Sequence, residues 1–321
     1  MKVVIADYYY KDISQERQLI TEQGHTLEAY RSSTEEELIS RAENCDALIV
    51  QFCQVTRRVI HHLKRCKVIV RYAIGYDNID LNAADEAGIP VCNVPDYCID
   101  EVSTHAVMLL LACSKHMRVY MDAVHNGFWG YSAGEPIKSF SQSSVGLLGF
   151  GAISQMVAKK LSGFGVKIYA YDPYMNSKAA EELNVEPVDL DTLYACSDLI
   201  SVHCPLNTKT EKMINTQTFG KMKPGVAIVN TARGGLIDED ALLLALKKGI
   251  VSAAGLDVTM QEPIPKDHPL RNDPRVIITP HIAWYSETSI KLLQKKVAQE
   301  VVRVLGGDPP AHMVNHPRGK T

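Results

Sequence analysis

VGLLGFGAIS, Val145–Ser154, is the stretch that decides the fold. Its apolar start is too short for a helix and reads as a buried strand; two glycines follow, and then a helical pattern begins. A glycine-rich turn between strand and helix lets a pyrophosphate approach the backbone N–H groups at the helix N-terminus. Gly149, Gly151, Ala152 and Ile153 are the candidates for that contact. Ser154 stands where a third glycine is expected for close helix–strand packing. The next strand-like run, KIYAYD, ends in Asp172, about 20 residues beyond the turn, the spacing at which an acidic residue accepts the adenosine ribose hydroxyls. A carboxylate there repels a 2′-phosphate, and no arginine directly follows, so the pattern favours NAD over NADP.

Outward from this motif, short β-branched runs alternate with amphipathic segments in two series. KVVIA, HTLEAY, DALIVQF, KVIVRYA and IPVCNV form the first; VGLLGFG, KIYAYDP, LISVHCP, AIVNTA, SAAGLDV and VIITP form the second. Apolar runs of this length separated by helices predict parallel sheets buried on both faces. The expected fold class is α/β, with two doubly wound parallel-sheet domains and a cleft between them. One is a Rossmann NAD-binding domain, residues 100–284, and the other a flavodoxin-like substrate domain, residues 1–99 with 285–321. A long helix is expected over 100–118, and the polar stretch NGFWGYSAGEPIKSFSQSS interrupts the alternation. A final helix at 286–305 has too little chain after it to build a domain, so it is expected to pack back on the first unit.

Composition narrows the function classes. The 321 residues hold Lys+Arg 34 against Asp+Glu 37, a net charge of −3, and 46% hydrophobic residues. Nothing favours a nucleic-acid or other polyanion partner. The eight cysteines lack a CxxC spacing and mostly lie in apolar runs, which reads as reduced thiols of a cytoplasmic protein and not as metal ligands. MKVVIADYYY lacks the basic start and long apolar run of a signal peptide, and no segment reaches membrane-spanning length.

Three further motifs carry chemistry: NTARGGLIDEDAL with Arg233, GLDVTMQEP with Asp257 and Glu262, and TPHIAWYSE with His281. Reduction of a 2-keto acid needs a hydride at the carbonyl carbon and a proton at its oxygen, and a histidine suits the proton. A carboxylate beside the imidazole holds its tautomer and favours the charged ring, the task expected of Glu262. A guanidinium matches a substrate carboxylate, the task expected of Arg233. Taken singly, His281 could be a packed strand-end residue, Arg233 a helix-start ion pair and Glu262 a solvated loop carboxylate. It is their joint occurrence that points to a site. In the first series, Arg71 and the AIGYDN turn can present backbone N–H groups around Ile74 and Gly75 to an anionic oxygen; the alternative is a tight turn that needs Gly75 for its shape.

The order and contexts of these motifs, with VHCPLNTKT and RYAIGYDNIDLNAADEAGIPVCNVP, resemble the D-isomer-specific 2-hydroxyacid dehydrogenases over nearly the whole chain. AWYSE and YDPY look most like the C-terminal-binding-protein branch. The resemblance implies a catalytic set of Arg233, Glu262 and His281. It also implies NAD contacts at Cys204, Pro205, Thr210, Thr231 and Ala232, and a nicotinamide carboxamide held by Asp257. Arg71, Ile74, Gly75 and Tyr76 become substrate contacts, with Trp284 walling the side-chain pocket and favouring a bulky or apolar keto acid. A small-molecule 2-keto or 2-hydroxy acid is thus the expected partner, and a homodimer with residues 100–140 as contact arm is the expected assembly. Thr104, in VSTH, stands where the family commonly has an acidic residue. The remaining histidines, His61, His62, His105, His203 and His268, are expected to be surface or packing residues. Two alternatives stay open: an NAD-sensing corepressor scaffold, and an enzyme acting on a different small anion.

Overall fold

The structure, a computed structural model, describes residues 1–31, 33–134 and 136–318. Residues 32, 135 and 319–321, which include one position of the expected contact arm and the end of the expected first domain, lie outside the described residues. The chain divides into two compact units, Met1–Cys98 with the stretch from Ser286 onward, and Ile99–Tyr285. Each crossing lies one residue from the limits expected from the sequence.

Unit 1 alternates strand and helix: β1 (Lys2–Ile5), α1 (Ser14–Glu22), β2 (Thr26–Ala29), α2 (Glu35–Ala42), β3 (Ala47–Val50), α3 (Arg57–His62), β4 (Val68–Arg71), α4 (Leu81–Ala87) and β5 (Val91–Cys92). All strand pairs are parallel, in the order β2-β1-β3-β4-β5, the flavodoxin-like arrangement. ALIV and VIVR are buried at every position, which is why they read as continuous apolar runs and not as alternating ones.

Unit 2 begins with α5 (Ile99–Ser114) and α6 (Met117–His125). The sheet units follow: β6 (Ser144–Leu148), α7 (Ala152–Leu161), β7 (Lys167–Tyr171), α8 (Ser177–Glu182), β8 (Glu186–Pro187), α9 (Leu190–Cys196) and β9 (Leu199–Val202). The second half is α10 (Thr216–Phe219), β10 (Val226–Asn230), α11 (Glu239–Lys247), β11 (Val251–Leu256), α12 (Pro269–Asn272) and β12 (Val276–Ile278). The seven strands run in the order β12-β11-β10-β9-β6-β7-β8, all parallel, so the chain reverses its direction of winding beside β6. Successive residues of a strand serve opposite cores. Leu147 and Val229 pack with Leu109, Leu110 and Val157 on one face, whereas Leu148 and Ile228 pack with Leu193, Leu242 and Leu246 on the other.

One expectation changes here and another holds. The helix expected over 100–118 breaks at His116, whose backbone is left-handed with φ 48°. Before the break α5 buries Val102, Ala106, Leu109, Leu110 and Cys113; after it α6 buries nothing, so the turn marks the point at which the chain leaves the sheet. The final helix, α13 (Glu287–Leu305), belongs to unit 1 and packs on α1 and β4, as its length suggested. There Gln294 Nε2 donates to Glu16 Oε1 at 2.9 Å and Tyr72 Oη donates to the same oxygen at 2.8 Å. Burial pushes the Glu16 carboxyl above the ordinary glutamate value.

Register is what positions the site in unit 2. Tyr171, Leu148, Val202, Asn230, Leu256 and Ile278 are successive cross-strand partners. The residue after each of them stands on the same edge, giving the row Asp172, Gly149, His203, Thr231, Asp257 and Thr279. In open parallel sheets this carboxyl edge, beside the reversal of winding, is where ligands bind.

Candidate active site

The glycine turn sits at the centre of that row. Gly149 has φ +95°, and a Cβ there would lie 2.8 Å from Cys204 N and 2.9 Å from His203 C, so only glycine lets the turn press against the end of β9. Gly151 begins α7 without a side-chain cap, and a Cβ on it would meet nothing within 4 Å. The start of α7 thus lacks a side-chain cap and has room beside Gly151, both of which an anion at a helix start requires. The Phe150 N–H donates to Asp172 Oδ2 at 2.7 Å and the Tyr174 N–H to Oδ1 at 2.8 Å, so the acidic residue braces the turn while each oxygen keeps an acceptor site. Ser154 is fully buried, which shows that a small side chain fits in place of the third glycine. Its hydroxyl finds no partner there, a desolvation cost of about 1–3 kcal/mol.

Beside the turn, burial holds the His203 imidazole down to about 4, so the ring is neutral, and Ser201 Oγ meets its Nε2 at 2.9 Å. Burial pushes the Cys204 thiol up to about 11, leaving it protonated and no rival to a phosphate charge. Thr210 Oγ1 donates to the Pro205 carbonyl at 2.7 Å and accepts from the Asn207 N–H at 2.8 Å, closing the 205–210 loop on itself. At the end of β10, Asn230 braces the next loop from both sides. Its Oδ1 accepts from the Ala232 N–H at 2.9 Å and its Nδ2 donates to the Arg233 carbonyl at 2.8 Å. Thr231 Oγ1 is buried without a protein partner. Asn230 was not singled out from sequence: its one signal, a polar residue closing an all-apolar strand, does not tell a bracing role from any other.

Arg233, Glu262 and His281 are brought together within unit 2. Glu262 Oε2 lies 2.7 Å from His281 Nδ1, and Glu262 Oε1 accepts from the Thr259 N–H at 3.2 Å. Burial raises the Glu262 carboxyl, but the His281 hydrogen bond and charge, with help from Thr259 and Arg233, outweigh it and hold the group below the ordinary glutamate value. The Arg233 loop touches the Glu262 loop directly: a Cβ on Gly234 would lie 2.0 Å from Thr259 O and 2.6 Å from Met260 N. Glu239 Oε1 accepts from the Met260 N–H at 2.7 Å, and its other oxygen lies 3.3 Å from His268 Nε2, so His268 has a carboxylate partner that the sequence reading did not give it.

His281 adopts φ +54°, an uncommon conformation for a residue with a side chain. Its N–H donates to the Asp257 carbonyl at 2.8 Å and its own carbonyl accepts from Trp284 Nε1 at 2.9 Å. The indole expected to wall a pocket therefore also ties the turn that carries His281. Asp257, only 1% exposed, accepts from Thr279 Oγ1, the Ile282 N–H and the Ala283 N–H at 2.5, 3.0 and 2.9 Å. Three donors on about four lone-pair positions leave one acceptor site. His105, expected to be a packing residue, lies 2.9 Å from Thr279 Oγ1, which corrects that reading.

Unit 1 has its own polar edge. Arg71 is buried, with Nε donating to Asn78 Oδ1 at 2.8 Å. Asn93 Nδ2 donates to the Ile74 carbonyl at 2.7 Å, and among the described residues no acceptor meets the amides of Ile74, Gly75 or Tyr76. Two exposed rings that the sequence reading passed over stand here. Phe52 lies 5.6 Å below the Arg71 guanidinium, and Tyr9 meets Phe52 edge to face at 5.5 Å.

Known proteins resemble this chain in sequence and in fold. Residues 107–283 fit the family described as "D-isomer specific 2-hydroxyacid dehydrogenase, NAD binding domain". The chain belongs to the D-isomer-specific 2-hydroxyacid dehydrogenases. It is 38% identical over 283 residues to a hydroxypyruvate reductase of Blautia hydrogenotrophica, covering 85% of this chain and 86% of that protein. It is 37% identical over 319 residues to a D-3-phosphoglycerate dehydrogenase of Methanocaldococcus jannaschii, covering 99% of this chain but only 60% of the relative. Among solved structures, D-lactate dehydrogenase from Aquifex aeolicus, complexed with NAD and lactic acid, matches with a TM-score of 0.89 at 26% identity over 98% of this chain and 100% of that one. NAD is the cofactor of this dehydrogenase family, and unit 2 fits it. The open space at Gly151, the uncapped start of α7 and the orphaned Thr231 hydroxyl are vacant partners of the kinds that a pyrophosphate and ribose satisfy.

Proposed function

We propose that the protein catalyses the NAD-dependent, reversible interconversion of a 2-keto acid and its D-2-hydroxy acid. The observation that carries the reading is the 2.7 Å pairing of Glu262 with His281 Nδ1, on a loop in contact with the one that bears Arg233. Bound NADH supplies the hydride for the carbonyl carbon. With Nδ1 committed to Glu262, His281 has Nε2 left to give its proton to the carbonyl oxygen, and takes it back in the reverse direction. Glu262 stabilises the imidazolium before that transfer. Arg233 binds the substrate carboxylate and polarises the carbonyl, so that charge developing on the oxygen meets a fixed cation. Within unit 1, the free amides at Ile74 and Gly75, with Arg71 and Tyr76 beside them, form an edge suited to binding an anion.

Ala152 and Ile153 present amides to the pyrophosphate, and Asp172 accepts the ribose hydroxyls. Cys204, Pro205, Thr210, Thr231 and Ala232 line the cofactor, and the remaining acceptor site of Asp257 takes its carboxamide. Relatives named for hydroxypyruvate, phosphoglycerate and lactate make small 2-keto acids the first substrates to try. The test is a panel of 2-keto acids of graded side chain, assayed for oxidation of NADH and of NADPH. Turnover with NADH on at least one acid is expected, with NADH preferred at least about tenfold because the Asp172 carboxylate repels a 2′-phosphate. Absence of turnover across the panel would sink the reading. No observation favours the corepressor scaffold over catalysis.

We also propose that two copies pair through α6 and the stretch after it. Met117, Met121, Val124 and Phe128 are exposed, with Trp129 90% and Tyr131 92% exposed, so one short stretch leaves six large apolar side chains to solvent. Sedimentation as a monomer at micromolar concentration would count against it.

A further inference from the structure

His105 and Thr279 have no part in the chemistry above, yet they converge on Asp257. Thr279 Oγ1 stands 2.5 Å from Asp257 Oδ1 and 2.9 Å from His105 Nε2, and that nitrogen is itself 3.5 Å from Oδ1. Counting protons gives the direction of each bond. Asp257 Oδ1 and Oδ2 already accept the main-chain N–H groups of Ile282 and Ala283, so the carboxylate acts as an acceptor and the single hydroxyl proton of Thr279 goes to it. Thr279 Oγ1 must then accept from His105, which places the ring proton on Nε2. The result is a donor series, His105 to Thr279 to Asp257, ending on a buried carboxylate.

What that carboxylate holds is the turn of His281. The amides of the two residues after His281 are bound by its oxygens, and the His281 N–H is bound by the Asp257 carbonyl. A left-handed backbone at a residue with a side chain is strained and persists only where its surroundings over-determine it. Turning or loosening the Asp257 side chain would release both following amides and move the imidazole with them. Thr279 and His105 occupy the positions that prevent this. His105 reaches the network from α5, a different element from the β11 and β12 ends that carry the other two, so the turn is anchored to a packed helix as well as to the sheet.

We propose that His105 and Thr279 are positioning residues for proton transfer by His281, acting through Asp257. The proposal rests on the assignment of His281 as the proton donor. A packing role for Thr279 would tolerate valine, which has nearly the same shape; a positioning role would not, because valine cannot donate to Asp257 or accept from His105.

The test measures kcat and KM for the keto acid turned over fastest in the panel, with NADH affinity measured separately by fluorescence. Thr279→Val and His105→Leu are expected to lower kcat about 10- to 100-fold, as sub-ångström to 1 Å displacements of a catalytic group do, while NADH affinity falls by less than kcat, through the carboxamide contact of Asp257 alone. Thr279→Ser and His105→Gln, which keep a hydroxyl and an N–H donor in place, should recover kcat to within about fivefold of the unmodified enzyme. Wild-type kcat in Thr279→Val, or equal losses in Thr279→Val and Thr279→Ser, overturns the proposal. Should Thr279→Val fail to fold, the comparison of His105→Leu with His105→Gln decides in the same way. His281→Gln separates the two levels: full activity in that variant removes the proton-donor assignment, whereas an inactive His281→Gln beside a fully active Thr279→Val removes the positioning role alone.

Discussion

Arg233→Ala lowers kcat/KM for keto-acid reduction by at least about 100-fold and leaves the NADH dissociation constant within about threefold: this is the expected result of steady-state kinetics paired with fluorescence titration. The separation follows from how the loop is held. Asn230 binds the Ala232 N–H and the Arg233 carbonyl, both main-chain groups, so truncating the arginine side chain leaves these two ties, and with them the residues proposed to line the cofactor, in place. What disappears is the guanidinium, a planar donor fork for a carboxylate and a charge that helps to hold Glu262 ionised. Lysine restores the charge but not the fork, so Arg233→Lys should recover only part of the loss. Unchanged kcat/KM in Arg233→Ala would show that the substrate carboxylate is bound elsewhere.

Gly234→Ala is the second large effect, expected to cut kcat about 100-fold although the change is a single methyl group far smaller than the site. The added carbon would lie 2.0 Å from Thr259 O, 2.1 Å from Thr259 C and 2.6 Å from Met260 N, all backbone atoms that cannot rotate away. The loop bearing Arg233 or the loop bearing Glu262 must move. Glu239, which grips the Met260 N–H from α11, resists movement of the second, so the displacement falls between the guanidinium and the carboxylate that orients His281. NADH affinity should fall much less than kcat, because the Gly149–Ser154 turn is untouched. A Gly234→Ala enzyme within about twofold of wild-type kcat would mean that the two loops yield without consequence for the chemistry.

Much of the site was legible because its residues sit in motifs whose local pattern is complete in one dimension. Strand, glycine turn, helix and distant acid can all be read along Val145–Asp172, since each depends on a backbone preference or a spacing. Arg233, Glu262 and His281 were legible as residue types with matching chemistry. His105, Asn230 and Thr279 were not, because a histidine inside a helix and a polar residue closing an apolar strand have many roles, and only their partners distinguish them. The break at His116 was hidden for a related reason: α5 and α6 are both good helical sequence, and the interruption reflects where the sheet stops offering a surface to cover.

The sequence by itself determined which segments become strands, apart from the exposed two-residue edge strand β8, that the central strands are parallel and buried on both faces, and that the chain holds one dinucleotide turn and a set of acid–base groups. Those outcomes follow from apolar periodicity, glycine placement and side-chain chemistry, all local in the chain. Only the tertiary structure decided that Asp172, Gly149, His203, Thr231, Asp257 and Thr279 stand in one row, since that depends on which strand pairs with which and in what register. It also decided that Asp257 holds the turn of His281, with Thr279 and His105 behind it. A buried carboxylate must find its donors wherever the fold brings them, and residues 105, 257 and 279 meet because a helix and two strand ends pack there, with nothing in their spacing along the chain to announce it.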